Sequence, residues 1–295
     1  MLQGGKPIMA PLAFNPVSAK LAEEFGMDAL YLGGGALGYL KTGTEANVSL
    51  VEMAQLGLEI RAKTDLPIIL DGQSGWGDAM HLSHAIQVAE AAGFAAIEIE
   101  DQIVPRRAHH HVGIEHLVPP EVMVEKIRTA AAARRSDDLL IIGRTNAVRP
   151  EGVDGAVRRA EAYRKAGADI LFVVPSQPSD VRLIGERLGG PLMFMAIGAR
   201  PTDGLTIDEL FGVGYRIFVD SMTPMMATYN ALAETYGEIG RHARASSVYV
   251  MPQMGAVQQR VHQTIDIERL LEIERRTVEA GTDPAQAKAH WVEDK

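Results

Sequence analysis

Two acidic residues, Asp71 and Glu100, stand at the ends of two short, largely apolar stretches of the sequence. The first stretch is Pro67-Ile68-Ile69-Leu70, and the second covers residues 95–99. A carboxylate at the end of a buried strand loses hydration, which costs free energy unless a cation joins it. Because a divalent cation is the most favourable partner for such carboxylates, the pair predicts a divalent-metal site. The alternative is helix capping, which Asp71 or Asp78 could perform.

Strand alternation brings the two acids together. Every second residue of a strand lies on the same face, so Asp71 shares its face with Gln73. By the same spacing, Glu100 shares its face with Glu98. If both faces point into a barrel, Asp71 and Glu100 meet near its mouth.

Short apolar runs alternate with helical patterns along most of the chain. The strand candidates are residues 7–13, 29–32, 67–71, 95–100, 139–144, 170–174, 192–197 and 215–219. The helix candidates lie near residues 17–25, 49–63, 79–92, 121–135, 154–166, 180–188, 206–211 and 224–242. Eight such units predict an α/β fold of the (β/α)8 TIM-barrel type, with a doubly wound sheet as the second choice.

The chain is expected to divide into a barrel domain, residues 1–242, and a C-terminal helical extension, residues 243–295. The extension contains one clear helical pattern near residues 266–280. Helices appended to a barrel often pack on a neighbouring subunit, and an intramolecular cap is the alternative. A homo-oligomer is therefore expected.

Composition excludes several classes of function. The 295 residues carry a net charge of -9 without a basic block, which argues against a nucleic-acid partner. The chain has no cysteine, so thiol chemistry is excluded. No apolar run is long enough to cross a membrane, and no signal peptide is recognisable. A cytoplasmic protein is expected.

In a barrel, chemistry is carried by residues at the carboxyl ends of the strands. In this sequence those positions hold Gly33-Gly34-Gly35, Asp71, Glu100-Asp101, Arg144, Arg200 and Asp220-Ser221. The glycine amides could cradle a carboxylate or form a plain turn. Arg144 needs an anion at the end of a buried strand, either a substrate carboxylate or a structural partner among Glu100 and Asp101.

Residues 103–119 form a long segment without a periodic pattern, as in lids that cover active sites. It contains His109, His110 and His111 in succession. Consecutive residues of an extended chain point to opposite sides, so three such histidines do not easily bind one zinc ion. A single histidine, His109 or His110, is the better candidate for an acid or base. His81 and His84 are interpreted as structural.

These residues together resemble the isocitrate lyase/phosphoenolpyruvate mutase superfamily, close to its methylisocitrate lyase-like members. The resemblance spans about residues 7–240 and rests on the following segments: Tyr31-Leu32-Gly33-Gly34-Gly35, Asp71 to Gly77, Ile99-Glu100-Asp101-Gln102, Pro105-Arg106-Arg107, Met123 to Ala133, and Arg144-Thr145-Asn146. It implies an α/β barrel, usually a homotetramer that exchanges a helix. It also implies a Mg²⁺- or Mn²⁺-dependent enzyme that makes or breaks C–C or P–C bonds beside a small carboxylate through an enolate.

The resemblance also assigns roles to residues. Asp71 and Glu100 correspond to the metal site, Arg144 to the arginine that holds the substrate carboxylate, and Gly34 and Gly35 to the amide pocket. Tyr31 is a further candidate for a catalytic residue, and Gly33 for a substrate-binding one.

The chain departs from the superfamily pattern at five positions. Ala108 replaces the acid/base cysteine of lyase members, and Gln73 replaces a second metal-turn aspartate. Gly33 replaces a common serine, Val174 replaces a glutamate of strand six, and Met195 replaces an asparagine of strand seven.

Three functions remain in view. The first is a metal-dependent C–C lyase on a 2-hydroxy or 2-oxo dicarboxylate, with His109 or His110 in place of the cysteine. The second is an oxaloacetate-type decarboxylase or P–C bond enzyme of the same superfamily. The third is a non-catalytic carboxylate-binding relative.

Overall fold

The computed structural model describes residues 5–196 and 204–277. Within these ranges eight strands alternate with helices. The strands are β1 (Ile8–Pro11), β2 (Leu30–Leu32), β3 (Ile68–Asp71), β4 (Ala96–Glu100), β5 (Leu140–Thr145), β6 (Ile170–Val173), β7 (Leu192–Ala196) and β8 (Tyr215–Asp220). The helices are α1 (Pro16–Glu24), α2 (Gly34–Leu40), α3 (Leu50–Arg61), α4 (Ala79–Ala91), α5 (Pro120–Ala133), α6 (Val148–Ala166), α7 (Pro178–Leu188), α8 (Ile207–Gly212), α9 (Thr223–Arg244), α10 (Met254–Thr264) and α11 (Ile267–Thr277).

The strands form one parallel sheet in the order β1-β8-β7-β6-β5-β4-β3-β2. A parallel bridge between Leu12 and Tyr31 joins the two outer strands, and the Ala13 amide donates to the Tyr31 carbonyl at 2.9 Å. These contacts bring the sheet round into a barrel. The predicted TIM barrel is therefore confirmed, and the doubly wound alternative is not observed.

Apolar side chains lie on both sides of the strands. The barrel interior contains Ile8, Ala10, Ala29, Tyr31, Ile69, Ala96, Ile142, Ile170, Phe172, Met193, Met195, Ile217 and Val219. A larger cluster fills the space between the strands and the surrounding helices. Because β4 alternates faces, Ile97 and Ile99 belong to the outer cluster, whereas Ala96 belongs to the inner one.

Helix caps account for several element boundaries. Asn15 and Ser18 form a capping box at α1, and Ser49 and Glu52 form another at α3. Asp78 caps α4 by accepting hydrogen bonds from the amides of Met80 and His81. Of the two acids that could have capped this helix, only Asp78 does so.

The described residues divide into two compact units, the first ending at Gly237 and the second beginning at Glu238. In the second unit, α10 and α11 contain no buried residue. The division into residues 1–242 and 243–295, and the exchange of the extension between subunits, stay predictions. Arg200 and residues 278–295 lie outside the described residues. In the described part of the chain, no helix is both long and apolar enough for a membrane span.

Candidate functional site

A cavity of about 240 Å³ opens at the carboxyl ends of the strands. Its walls come from β2, β3, β5 and β7, from α2 and Glu45, from the residues that follow β8, and from the lid, residues 103–119. The lining residues are Tyr31, Gly33, Gly35, Ala36, Tyr39, Glu45, Asp71, Arg106, His110, His111, Arg144, Met195, Ser221 and Met222. Most of the residues singled out in the sequence therefore surround one space.

Asp71 ends β3 and is held by backbone amides on both oxygens. Gly34 donates to Oδ2 at 2.8 Å, and Gln73 donates to Oδ1 at 3.0 Å. Gln73 itself has a φ of 50°, an uncommon backbone conformation for a residue with a side chain. These bonds orient the carboxylate while leaving further lone pairs on each oxygen. Because the Gly34 amide is already engaged, Gly33 and Gly35 are the glycines that face the cavity.

Glu100 ends β4 and is only 1% exposed. Its Oε2 accepts a hydrogen bond from Asn146 Nδ2 at 2.9 Å and lies 3.2 Å from Arg144 Nε. Its Oε1 pairs with the guanidinium of Arg106, which comes from the lid. Glu100 is thus a buried carboxylate with cationic neighbours on both sides.

The neighbouring Asp101 has a structural role. Its Oδ2 accepts from Thr145 Oγ1 at 2.6 Å and from Tyr163 Oη at 2.8 Å, and its Oδ1 accepts from the Asn146 amide at 3.2 Å. Burial raises the pKa of Asp101, and these hydrogen bonds oppose that rise. The side chain ties β4 to β5 and α6 and is not among the residues lining the cavity.

Arg144 lies on β5, and its principal partner is Glu98. Arg144 Nη1 donates to Glu98 Oε1 at 2.7 Å, and Tyr31 Oη donates to Glu98 Oε2 at 3.1 Å. Burial acts to lower the pKa of Arg144, but the negative charges of Glu98 and Asp71 outweigh it and raise that pKa. Arg144 is therefore a permanent cation. The structural partners considered from the sequence were Glu100 and Asp101, and Glu98 was missed although it shares a strand face with Glu100.

Burial also shifts the pKa values of two neighbouring groups, the Glu98 carboxyl and the Tyr31 phenol. It raises the pKa of Glu98, which is 1% exposed, against the lowering effect of Arg144. It raises the pKa of Tyr31 well above 10, and Asp71 and Glu98 add to that rise. Tyr31 is consequently a protonated phenol at any physiological pH, able to donate a proton.

Glu45 is a second site residue that sequence reasoning missed. It begins a short 3-10 turn, Glu45–Asn47, and is 4% exposed. Its Oε1 lies 3.1 Å from Arg106 Nε, and its Oε2 lies 2.8 Å from His111 Nε2. Tyr39 Oη is 2.9 Å from His111 Nδ1. Two lid residues therefore meet the same buried carboxylate, which holds the lid against the barrel.

The lid histidines occupy different surroundings. His110 lines the cavity, and its Nδ1 is 2.9 Å from Glu115 Oε2 and 2.7 Å from Gln102 Nε2. Burial lowers the pKa of His110, although Glu115 opposes this, so the imidazole is neutral at neutral pH. His109 instead contacts His116 on the exposed side of the lid, with Nδ1 and Nε2 3.0 Å apart. The structure thus places His110, and not His109, beside the reactive space.

The carboxylates of this region suit a hard divalent cation. Glu45 Oε2 and Glu100 Oε1 are buried oxygens without a hydrogen-bond donor in good geometry, although a cationic side chain lies close to each. Across residues 5–196 and 204–277, no group of three or more His, Cys, Asp or Glu side chains is arranged to hold a metal. Mg²⁺ often uses only one or two protein carboxylates together with water, so the donor set fits it.

Residues 1–240 match the family described as phosphoenolpyruvate phosphomutase. The chain belongs to this family. A 2-methylisocitrate lyase of Aeropyrum pernix is 36% identical over 234 residues, 79% of this chain and 75% of the relative. A 2,3-dimethylmalate lyase of Eubacterium barkeri is 30% identical over 240 residues, 80% of this chain and 82% of the relative.

Among solved structures, a phosphonopyruvate hydrolase in complex with oxalate and Mg²⁺ is similar to this chain. The TM-score is 0.80 at 26% identity, covering 94% of this chain and 96% of that chain. The superfamily resemblance predicted from the sequence is confirmed, and this phosphoenolpyruvate phosphomutase family member is an enzyme of the lyase type.

Proposed function

We propose that the protein is a divalent-metal-dependent lyase that breaks a C–C bond in a 2-hydroxy or 2-oxo carboxylate through an enolate. The observation that carries the proposal is the arrangement in one cavity of a permanent cation, Arg144, beside the carboxylates Asp71 and Glu45. Such a cavity can bind a carboxylate at one end and a cation at the other. The lyase names of two relatives support the same reaction type.

Asp71 and Glu100 would hold Mg²⁺ or Mn²⁺ with water completing the coordination. The bound ion would stabilise the negative charge that develops on the substrate oxygen. Asp71 is preoriented by the amides of Gly34 and Gln73, so binding the ion requires little rearrangement of this side chain. Gln73, in place of an acid, leaves the site less negative.

Arg144 would bind the substrate carboxylate, since a guanidinium pairs with a carboxylate through two parallel hydrogen bonds. Gly33 and Gly35 would allow the substrate to approach the backbone closely, because neither carries a side chain at the cavity wall. The lid, fastened by Arg106 and His111 to Glu45, would exclude water from the reacting carbon.

Proton transfer would involve His110 and Tyr31. Neutral His110 can accept the proton of a substrate hydroxyl, and the Tyr31 phenol can donate a proton to the carbon released by cleavage. Ala108 carries no group that exchanges a proton, so the histidine of the lid would take over part of the role of the missing thiol.

Product detection tests this proposal. A panel of 2-hydroxy and 2-oxo acids is incubated with Mg²⁺, and glyoxylate or pyruvate is measured by a coupled assay. Turnover that disappears with chelator and in an Arg144→Ala variant would support the assignment. The matched control is Arg128→Ala, whose guanidinium is exposed and pairs with Glu125. Full activity in Arg144→Ala would refute the role of Arg144.

A second candidate, a decarboxylase or P–C bond enzyme, is favoured by Ala108, because these reactions need no thiol acid. Similarity to the phosphonopyruvate hydrolase structure supports it as well. Phosphate release from phosphonopyruvate and carbon dioxide release from oxaloacetate distinguish this candidate from the lyase. Acid binding without any turnover would indicate the third possibility, a carboxylate-binding relative.

We also propose that the protein is a homotetramer. Helices α10 and α11 leave Val257, Val261, Leu270, Leu271 and Ile273 at least 40% exposed. Exposed apolar side chains of this kind are typical of a contact with another subunit. The cytoplasmic location expected from the sequence stays a prediction, which cell fractionation would test.

A further inference from the structure

Two histidines of the lid, His109 and His116, face each other on its exposed side. Nδ1 of His109 and Nε2 of His116 are 3.0 Å apart. The centroids of the two rings are 5.3 Å apart, and the ring planes are inclined by 34°. Neither histidine is among the residues lining the cavity, in contrast to His110. The proposed reaction therefore leaves this pair of imidazoles without a role.

Backbone hydrogen bonds hold both histidines in place. The Ile114 amide donates to the His109 carbonyl at 3.1 Å, and the Ile103 amide donates to the His116 carbonyl at 2.9 Å. Gly113, which lies between the two histidines in the sequence, has a φ of 79° and turns the chain back on itself. A ligand that joins the two rings would therefore meet a backbone that is already ordered, and its binding would cost little conformational entropy.

The separation of the two nitrogens is close to that in a metal chelate. Two imidazole nitrogens on one tetrahedral Zn²⁺ ion, each about 2.0–2.1 Å from the metal, lie roughly 3.3–3.4 Å apart. The observed separation is shorter by a few tenths of an ångström, which a small rotation of either side chain supplies. The ion would replace the one proton that a hydrogen bond places between the nitrogens.

A hydrogen bond alone stabilises this contact only weakly. Each exposed ring can form an equivalent bond with water, so the net gain from the bond between the rings is small. A divalent ion instead binds the lone pairs of both nitrogens together. Imidazole suits Zn²⁺, Cu²⁺ and Ni²⁺, whereas Mg²⁺ prefers oxygen ligands. The histidine pair and the carboxylates of the cavity therefore select different ions.

We propose that His109 and His116 bind an imidazole-preferring divalent ion such as Zn²⁺, with water completing its coordination, and that the ion fastens the lid. The two ligands are seven residues apart, so the ion closes a loop that contains His110 and Glu115. A fastened loop opens less readily, and the supply of the ion would thereby regulate access to the cavity. The site does not depend on the proposed lyase function.

Calorimetry tests the site directly. Zn²⁺ is titrated into the protein without an affinity tag and with Mg²⁺ in large excess, so that Mg²⁺ competes at the carboxylates of the cavity. We expect one Zn²⁺ ion to bind per chain. His109→Asn and His116→Asn each keep a polar side chain but remove one imidazole. Each should weaken Zn²⁺ binding at least about tenfold, because one remaining imidazole cannot chelate the ion.

His84→Asn is the matched control, since His84 is an exposed histidine of α4. It should bind Zn²⁺ as tightly as the wild-type protein. An unchanged circular dichroism spectrum shows that each variant is folded.

Two further measurements identify the ligands and the effect on the lid. Electron paramagnetic resonance of bound Cu²⁺, again with Mg²⁺ in excess, should show coupling to nitrogens of two imidazoles, and of only one in His116→Asn. Amide hydrogen exchange in residues 103–119 should slow when Zn²⁺ is added to the wild-type protein. The same exchange should not respond to Zn²⁺ in His109→Asn.

Several outcomes would overturn the inference. They are the absence of Zn²⁺ binding, equal binding in the wild-type protein and both variants, and weakened binding in only one variant, which would indicate a contact with a single histidine. Binding that needs both histidines but leaves amide exchange unchanged would refute the fastening of the lid. Turnover enters none of these measurements, so the lyase proposal is tested separately.

Discussion

At the scale of single residues, Glu98 determines how Arg144 and Tyr31 are held. Both side chains contact its carboxylate, and all three are almost completely buried. Without Glu98, Arg144 would retain Glu100 and Asn146 as partners, but its guanidinium would lose the bond that orients Nη1. Glu98 is therefore a positioning residue for the candidate site.

Two replacements of Glu98 should distinguish the loss of its charge from the loss of its hydrogen-bond acceptor, through their effects on the free energy of unfolding. Glu98→Leu removes one partner of a buried ion pair, which typically costs about 3–5 kcal/mol of unfolding free energy. Glu98→Gln keeps an acceptor for Arg144 and should cost less. Urea unfolding measures both variants. Glu125→Gln, at an exposed pair, should cost no more than about 1 kcal/mol, and an equally small effect of Glu98→Leu would contradict the role of this residue.

His110 and His109 differ in burial, and this difference predicts a pH profile. Since burial lowers the pKa of His110 below 6.5, a base at this position loses activity only when the pH falls below that value. The acidic limb of kcat/KM should therefore lie below pH 6.5 and should be absent from the residual activity of His110→Asn. His109→Asn, on the exposed side of the lid, should keep the wild-type profile. A profile altered only by His109→Asn would reverse the assignment.

The pKa of His110 has a consequence for stability as well. The unfolded chain binds the proton before the folded protein does, so folding stability falls as the pH drops from the unfolded pKa through the lowered folded one.

The sequence predicted some site residues and missed others for physical reasons. Asp71, Glu100 and Arg144 lie at the ends of largely apolar strands, where a charged residue stands out in the sequence. Glu98 could have been found because alternate residues of a strand share a face, which places it on the same side of the strand as Glu100. Glu45 lies in a short turn between two helices and has no periodic signal, so only the folded chain reveals its proximity to Arg106.

At the scale of elements, the turn from Asp71 to Gly77 is held by side chains from neighbouring segments. Lys126 of α5 donates to the carbonyls of Ser74 and Gly77, and Trp76 Nε1 donates to the Val48 carbonyl at 3.0 Å. Burial lowers the pKa of Lys126 to about 8. A Cβ on Gly72 would lie 2.4 Å from the Glu98 carbonyl oxygen, which is closer than real atoms approach.

Gly72→Ala should therefore displace the turn that carries Asp71. We expect a loss of about 1–3 kcal/mol in unfolding free energy, with a weaker calorimetric affinity for Mg²⁺. Gly212→Ala is the matched control, because it is exposed and its Cβ would meet nothing within 4 Å. Equal stability of the two variants would show that the turn can shift without cost.

Strands were predicted more accurately than helices. All eight strand candidates coincide with observed strands, because buried parallel strands are apolar throughout. Helix α2 was missed since three of its seven residues are glycines, which have low helix propensity. Helix α10 was missed as well.

The exposed apolar residues of α10 and α11 matter at the scale of the whole molecule. If they contact other subunits, a charge placed among them should dissociate the assembly. We expect light scattering to report a tetramer for the wild-type protein and smaller species for Leu271→Glu. Glu274→Gln, on the same helix, should remain tetrameric. A monomeric wild-type protein would refute the proposed oligomer.

Ala108 begins the short 3-10 turn of the lid, where the family resemblance led us to expect a cysteine. The protein contains no cysteine anywhere in its sequence. Alkylating reagents such as iodoacetamide therefore find no thiol to modify, and peroxide finds none to convert into a sulfenic acid. An enzyme built in this way would continue to cleave its substrate under oxidative conditions that silence a thiol-dependent relative.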